Sequence, residues 1–451
     1  MASAAEQLAA NLNVGSFAKA TDLHKRLWFT VGALIVYRLG AFIPIPGIDS
    51  KAFADAFNTH SAGILGMFNM FSGGAVQRMA IFSLNVMPYI SASIIVQLLQ
   101  SIYPPWDKLK KEGGEAGRKQ LNQYTRYLTV VLALFQSGAI AFGLQSQKTL
   151  VFDPGPFFIV STIATLTGGT MFLMWLGEQI TSRGVGNGIS LLIFAGIVAR
   201  LGPALSQMLS LTQSGQMNGG SLIFIALGAV GVMLFIVFCE RAQRRLLINY
   251  PKRQVGNRMF GGESSFLPIK INTSGVIPPI FASSLLLLPA TALQFGANSL
   301  SHLPTWAQWV PGLIGQLQHG QPLFIVLYGA MIIFFTFFYT PVVFNPEDTA
   351  ENLRKYGGFL PGIRPGKRTA EYLDYVLTRL TVIGAAYIAF VCILPEAIMA
   401  KMQSNQFYFG GTSLLIVVSV TMDTVAQIQS YLLAHQYEGL IKKSRLRGKT
   451  R

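Results

Sequence analysis

Apolar residues in this chain gather into long runs instead of alternating with polar ones. Crossing about 30 Å of hydrocarbon takes roughly 20 apolar residues in a helix. Ten runs approach that length: Leu27–Ile43, Ala75–Leu99, Tyr124–Leu144, Phe157–Gln179, Asn187–Leu209, Ser221–Cys239, Gly275–Phe295, Pro322–Phe344, Tyr375–Met399 and Gly410–Ala434. Lipid offers the backbone no hydrogen-bond partner, and no barrel-like alternation is visible, so the runs predict helices. One apolar stretch breaks the pattern. Ile64–Gly74 (ILGMFNMFSGG) is too short to cross and ends in the flexible pair Gly73-Gly74. It reads either as a re-entrant segment buried in protein or as an amphipathic segment at the interface.

Charge gives the runs an orientation. Lysine and arginine collect before the first run and in the loops after the second, sixth and eighth. They collect again after the tenth, while Ser210–Gly220 carries no charge and Gly296–Gln321 only histidines. This alternation puts the basic loops, and both termini, in the cytosol. Composition agrees: 51% of the 451 residues are hydrophobic, only 12% are charged, and the net charge is +16. A soluble domain carries about 25% charged residues, and the positive-inside bias accounts for the basic excess without a nucleic-acid partner. The chain then divides into a polar tail (1–26) without signal-peptide character, a first half (27–209), an outer connection (210–220), a second half (221–434) and a basic tail (435–451). Two basic loops, about 240–271 and 345–374, exceed what a connection needs and contain turn signals such as Pro361-Gly362 and Pro365-Gly366. They suggest a docking surface, against the plainer reading of orientation charge alone.

The chemistry available inside the runs is sparse. Arg38, Arg78, Arg379 and Asp423 are the ionisable residues singled out there, with Glu178 near a run end. All five histidines lie outside the runs and Cys239 and Cys392 have no metal-ligand spacing, so neither a metal site nor haem ligation is expected. No second aspartate accompanies Asp423 for a catalytic dyad, and no phosphate-binding GxxxxGK[ST] loop occurs. The reading is a non-enzyme with no cofactor and no catalytic residues. A secondary transporter of small solutes is the alternative, but coupling carboxylates at the midplane are missing.

Short motifs then become specific. FIPIPGID from Phe42, FNMFSGGA from Phe68, MPYISASIIVQLLQ from Met87 and LGEQITSRGVGNGIS from Leu176 occur in order. ERAQRR from Glu240, GVIPPIFASS from Gly275, PGIRPG from Pro361 and FGGTSLLIVV from Phe409 follow. Over about Leu27–Lys443 the chain resembles the SecY/Sec61-alpha family of protein-conducting channels. The resemblance implies an all-α polytopic membrane protein of ten transmembrane helices, in two pseudo-symmetric halves of five, with a short re-entrant plug helix. It implies a pore ring at Val86, Ile90, Ile189, Ile193, Ile280 and Ile416, with valine where the family often has isoleucine at the first position. The plug would comprise Ile64, Met67, Phe68, Phe71, Gly73 and Gly74, and Gln97 and Asn187 would be polar residues of the lateral gate. Arg244, Arg245, Arg364, Lys367, Arg368 and Tyr437 would dock the SecA ATPase or the ribosome. Further implied partners are SecE, SecG, signal sequences of secretory precursors and membrane lipids, with no specific DNA. The implied location is the bacterial inner membrane, and the implied task is export of unfolded polypeptides and lateral insertion of membrane proteins.

Overall fold

The computed structural model describes residues 21–60, 69–145, 150–214, 219–250, 253–255, 258–260, 264–295, 321–402 and 411–447. In chain order the helices are α1 (Thr21–Gly40), α2 (Ser50–His60), α3 (Met87–Ile102), α4 (Pro104–Glu112), α5 (Gly114–Gln145), α6 (Pro156–Arg183), α7 (Gly188–Gln213), α8 (Gly219–Arg241), α9 (Ile277–Phe295), α10 (Pro322–Val343), α11 (Pro346–Lys355), α12 (Lys367–Met402) and α13 (Gly411–Arg447). Strands β1 (Gln243–Asn249), β2 (Arg253–Val255), β3 (Arg258–Phe260) and β4 (Ser264–Lys270) lie between α8 and α9. Among the described residues seven helices are long and apolar enough to cross a membrane: α5, α6, α7, α8, α10, α12 and α13. The other three expected runs correspond to α1, whose first turns are charged, and to α3 and α9, which contribute the shorter apolar stretches Met87–Gln100 and Ile277–Leu286.

Local sequence accounts for where several helices begin. Proline occupies the first turn of α6, α10 and α11, where its missing N–H costs nothing. Asn345 caps α11 by accepting from the Glu347 and Asp348 amides. Hydroxyls inside the bundle turn back on their own helices. Thr129 donates to the Thr125 carbonyl at 2.7 Å, and Thr336 and Thr340 donate to the carbonyls four residues earlier. Their polar atoms are thereby satisfied without water.

The second expected run departs from a single helix. Only Met87 onward is helical; residues 72–86 form successive turns, with left-handed backbone at Met79 (φ +44°) and Asn85 (φ +49°). The stretch is nevertheless deeply buried: Ala75, Val76, Met79, Ala80, Phe82 and Leu84 all lie in the interior. Its backbone bonds to the segment after α1, with Ile45 N–H donating to the Met79 carbonyl at 3.0 Å and Ile81 N–H to the Ile43 carbonyl at 2.9 Å. Irregular backbone at membrane depth is tolerated where protein, not lipid, supplies the partners.

The long basic loop after α8 contains two antiparallel strand pairs, where the sequence predicts only a loop with turns. β1 pairs antiparallel with β4, and β2 with β3. A second small core joins it to the other basic loop: Leu246 and Ile269 pack with Ala350, Leu360, Leu373 and Val376. Asn249 and Phe359 exchange both backbone hydrogen bonds, at 2.9 and 3.0 Å. The first helix starts at this same end. Leu23 packs with Val185 and Leu432, and Thr30 Oγ1 accepts from the Val185 amide. The segments after α1 and after α5 meet, with Ile48 bridging Val151.

The outer surface is apolar, with Phe157 85% and Phe224 75% exposed. α8 buries little of its length against the rest of the bundle. Such a surface suits lipid and would be an aggregation liability in water. The chain is a multi-pass membrane protein.

Candidate pore constriction

The six expected ring residues come from four elements. Val86 immediately precedes α3 and Ile90 lies in its first turn, Ile189 and Ile193 open α7, Ile280 lies near the start of α9 and Ile416 near the start of α13. Val86 and Ile416 are fully inaccessible, and Ile90, Ile193 and Ile280 are buried. Ile189 is half-buried against the same central cluster, which contains the other five. None of the six faces outward. α9 packs on both α3 and α5, closing the bundle on that side. At this seam Ser284 Oγ lies 3.6 Å from Met87 Sδ.

Of the expected plug, Ile64, Met67 and Phe68 lie outside the described residues. The described part, 69–74, is held by atoms that sit next to the ring in sequence. Asn85, adjacent to Val86, donates from Nδ2 to the Phe71 carbonyl at 2.7 Å. Ser413, three residues before Ile416, places Oγ 3.6 Å from Met70 Sδ. Gly196, three residues after Ile193, touches the joint so closely that a side-chain carbon there would collide with the Phe71 carbonyl oxygen. Three of the four ring-bearing elements therefore contact this segment within one turn of a ring residue. From the last turn of α1, Arg38 Nη1 donates to the Gly73 carbonyl at 2.7 Å. Gly73 (φ +66°) and Gly74 (φ +88°) both occupy left-handed backbone that a side chain would strain. Gly196→Ala is expected to push segment 69–74 out of its seat while leaving the bundle folded. The measurement is thiol labelling of a Ser72→Cys reporter, buried in the parent, which should speed up severalfold; an unchanged labelling rate would show that the joint tolerates the methyl group.

The two polar gate candidates differ. Gln97 is half-buried on α3; its Nε2 donates to Ser93 Oγ at 3.1 Å, and its Oε1 is buried without a partner. Asn187 is exposed and caps α7, accepting from the Ile189 and Ser190 amides. That cap stabilises the helix start by about 1 kcal/mol and orients the two ring residues that follow. Nothing in the structure brings Asn187 and Gln97 together.

The docking candidates lie at the basic end. Arg244 and Arg245 are exposed on β1, and Arg364, Lys367 and Arg368 are exposed in and after the PGIRPG turn. That turn is built by left-handed Gly362 (φ +80°) and Gly366 (φ +106°) and tied down by Thr369 Oγ1, which donates to the Arg364 carbonyl at 3.0 Å. The Tyr437 side chain lies outside the described residues.

Charged groups in or near the runs find local partners. Arg126 grips Glu178 with two bonds, 3.0 and 2.6 Å. Asp423 lies 3.9 Å from Lys270, both largely exposed, so this pair contributes little. Arg379 stacks on Tyr375. Among the described residues no group of three metal-ligating side chains occurs. Asn85 and Arg200 are the notable residues the sequence reading passed over. Asn85 carries the signal of asparagine in left-handed turns, and Arg200 the signal of a charge inside a run.

This arrangement defines a class: a polytopic helical bundle with a buried aliphatic cluster at its centre, against which the short segment 69–74 is held. Its overall fold matches solved structures described as a protein-conducting channel (TM-score 0.65, 19% identity, 91% of this chain and 92% of that one). It also matches Sec61 in a canine ribosome-channel complex from the endoplasmic reticulum (TM-score 0.62, 19% identity, 91% and 92%). A family profile described as SecY matches residues 80–425. The protein translocase subunit SecY of Vibrio cholerae serotype O1 is 53% identical over 431 residues, 95% of this chain and 96% of the relative. The Escherichia coli K12 subunit is 52% identical over the same shares. The chain belongs to the SecY family.

Proposed function

We propose that this chain is the channel-forming subunit of a Sec-type protein translocase, exporting unfolded polypeptides and releasing apolar segments sideways into lipid. The carrying observation is the seating of segment 69–74 by Asn85, Gly196 and Ser413, each within one turn of an aliphatic ring residue. A charged residue at the bilayer centre costs at least about 2.5–3.5 kcal/mol on insertion scales, and a watery path removes that cost. The path must not leak ions, and a narrow aliphatic waist excludes them by dewetting. Alkyl side chains have no hydrogen-bonding groups, so they accommodate a passing chain without holding one sequence. The ring is Val86, Ile90, Ile189, Ile193, Ile280 and Ile416, and the plug runs through 64–74.

Sideways exit follows the seam of α9 against α3 and α5. Parting there, with 210–220 as the hinge between two halves, exposes an apolar segment to lipid, worth about 0.8 kcal/mol per buried CH₂. The basic end faces the cytosol of a bacterial inner membrane. Arg244, Arg245, Arg364, Lys367 and Arg368 would meet the SecA motor or ribosomal RNA phosphates, which require positive charge but no base reading. SecE and SecG are the expected membrane partners. Channel families of this kind supply no chemistry of their own, so the driving energy comes from the partner.

Conditional depletion tests the whole reading. Secreted precursors are expected to accumulate uncleaved in the cytosol within a few generations, and re-expression of this chain restores export. Export that continues normally would reduce the chain to a scaffold, and saturable solute uptake by purified vesicles would favour the transporter.

A further inference from the structure

Three arginines from separate parts of the chain converge on the Gly73-Gly74 joint. Arg38 ends α1, Arg200 lies midway along α7, and Arg78 follows the joint. A side-chain carbon at Gly74 would lie 3.5 Å from Nη1 of both Arg78 and Arg200, and one at Gly73 would lie 3.2 Å from Arg38 Nη1. Arg38 and Arg78 both lie over one ring, Phe42, with guanidinium carbons 4.7 and 4.1 Å from its centroid. Arg38 donates to the Gly73 carbonyl and Arg200 donates to Gln77 Oε1 at 3.1 Å. Arg78 Nη1 is closed off from solvent and has no hydrogen-bond partner.

Among the described residues none of the three forms an ion pair with a carboxylate. The adjoining segment 61–68 contains no aspartate or glutamate. Three half-buried like charges crowded at one joint repel one another, and half-burial weakens the screening that water would give. Arginine side chains present paired N–H donors that match tetrahedral oxyanions.

We propose that Arg38, Arg78 and Arg200 form a binding site for one phosphate group, held against the Gly73-Gly74 joint. Filling it neutralises the cluster, gives Arg78 Nη1 an acceptor and ties α1 and α7 to the joint. The consequence for gating rests on reading 69–74 as the plug; the binding itself does not, and it is measured without transport.

The phosphate belongs either to a free anion or to a lipid headgroup, and the test separates them. The full-length chain with its membrane partners is purified in a phosphate-free glycoside detergent and titrated with inorganic phosphate by calorimetry and thermal unfolding. Native mass spectrometry of the same sample reads retained phospholipid. Saturable binding with a raised Tm is expected. It should weaken about tenfold or more in Arg78→Gln and in Arg200→Gln, from loss of charge-assisted hydrogen bonds. Arg126→Gln, at a distant ion pair, should bind as the parent does. Retained phospholipid that inorganic phosphate displaces, and that Arg200→Gln loses, assigns the site to a headgroup; binding without such lipid assigns it to the free anion. Should Arg78→Gln fail to fold, Arg78→Lys, which keeps the charge but not the fork, takes its place with an intermediate loss. A folded parent that binds neither phosphate nor phospholipid, or variants that bind as tightly as the parent, would overturn the proposal.

Discussion

Ile416→Asn is expected to raise resting ion conductance far above the parent level. Ile416 is fully inaccessible and lies at the start of α13, three residues from the Ser413 contact with segment 69–74. An aliphatic ring stays dry because water gains no hydrogen bonds inside it. An amide at the same place leaves donors and acceptors unsatisfied, at about 1–3 kcal/mol, unless water enters. Entry of water relieves that cost and at the same time lowers the barrier to ions. The measurement is single-channel or macroscopic conductance of the purified complex in planar bilayers, without a translocating chain. Ile416→Leu, which keeps an alkyl surface, should remain closed. Because loss of a buried isoleucine also destabilises by roughly 2–5 kcal/mol, Ile280→Asn at a slightly more accessible ring position provides an independent reading. Conductance at the parent level in both asparagine variants would remove the ring from the proposed mechanism.

Arg364→Glu should abolish most motor-driven export while the protein folds normally. The side chain is exposed at the tip of a turn whose backbone is fixed by Gly362, Gly366 and the Thr369 hydroxyl. The neighbouring Ile363 packs into the second core, so the arginine is presented from a rigid base. Reversing its charge turns attraction into repulsion at a desolvated contact, where truncating one partner alone typically costs 2–5 kcal/mol. ATP-driven translocation of a precursor into inverted vesicles is expected to fall at least about tenfold. Arg364→Lys should retain part of it, since charge survives but the planar fork does not. Translocation by Arg364→Glu at the parent rate would place docking elsewhere.

Much of the bundle is legible in the sequence because lipid imposes one strong rule, a long apolar run for every crossing. The runs at α6, α8 and α10 coincide closely with the helices found, whereas α5 begins well ahead of its run, at Gly114. The same rule misreads residues 75–86. Hydropathy registers that Val76, Met79 and Phe82 avoid water, but not that the backbone here closes local turns and, at Met79 and Ile81, bonds to residues 43–45 instead of forming a helical ladder. The β-ribbon after α8 escaped notice because exposed arginines on β1 and Pro268 on β4 blur the alternation, and its pairing is settled by a partner strand some twenty residues away. Asn187 was legible as a polar residue at a run boundary; its capping geometry depends on where α7 begins. Arg200 hid in an otherwise apolar run, and only the folded chain brings it to Arg38 and Arg78.

The backbone bridge between Asn249 and Phe359 has a mechanical implication. It welds two surface projections into a single handle, rooted in α8, α9, α10 and α12. A motor or ribosome gripping either projection would then deliver torque to one side of the molecule. Leverage of that kind turns a push at the surface into relative rotation across the seam, with no need for the partner to reach the waist.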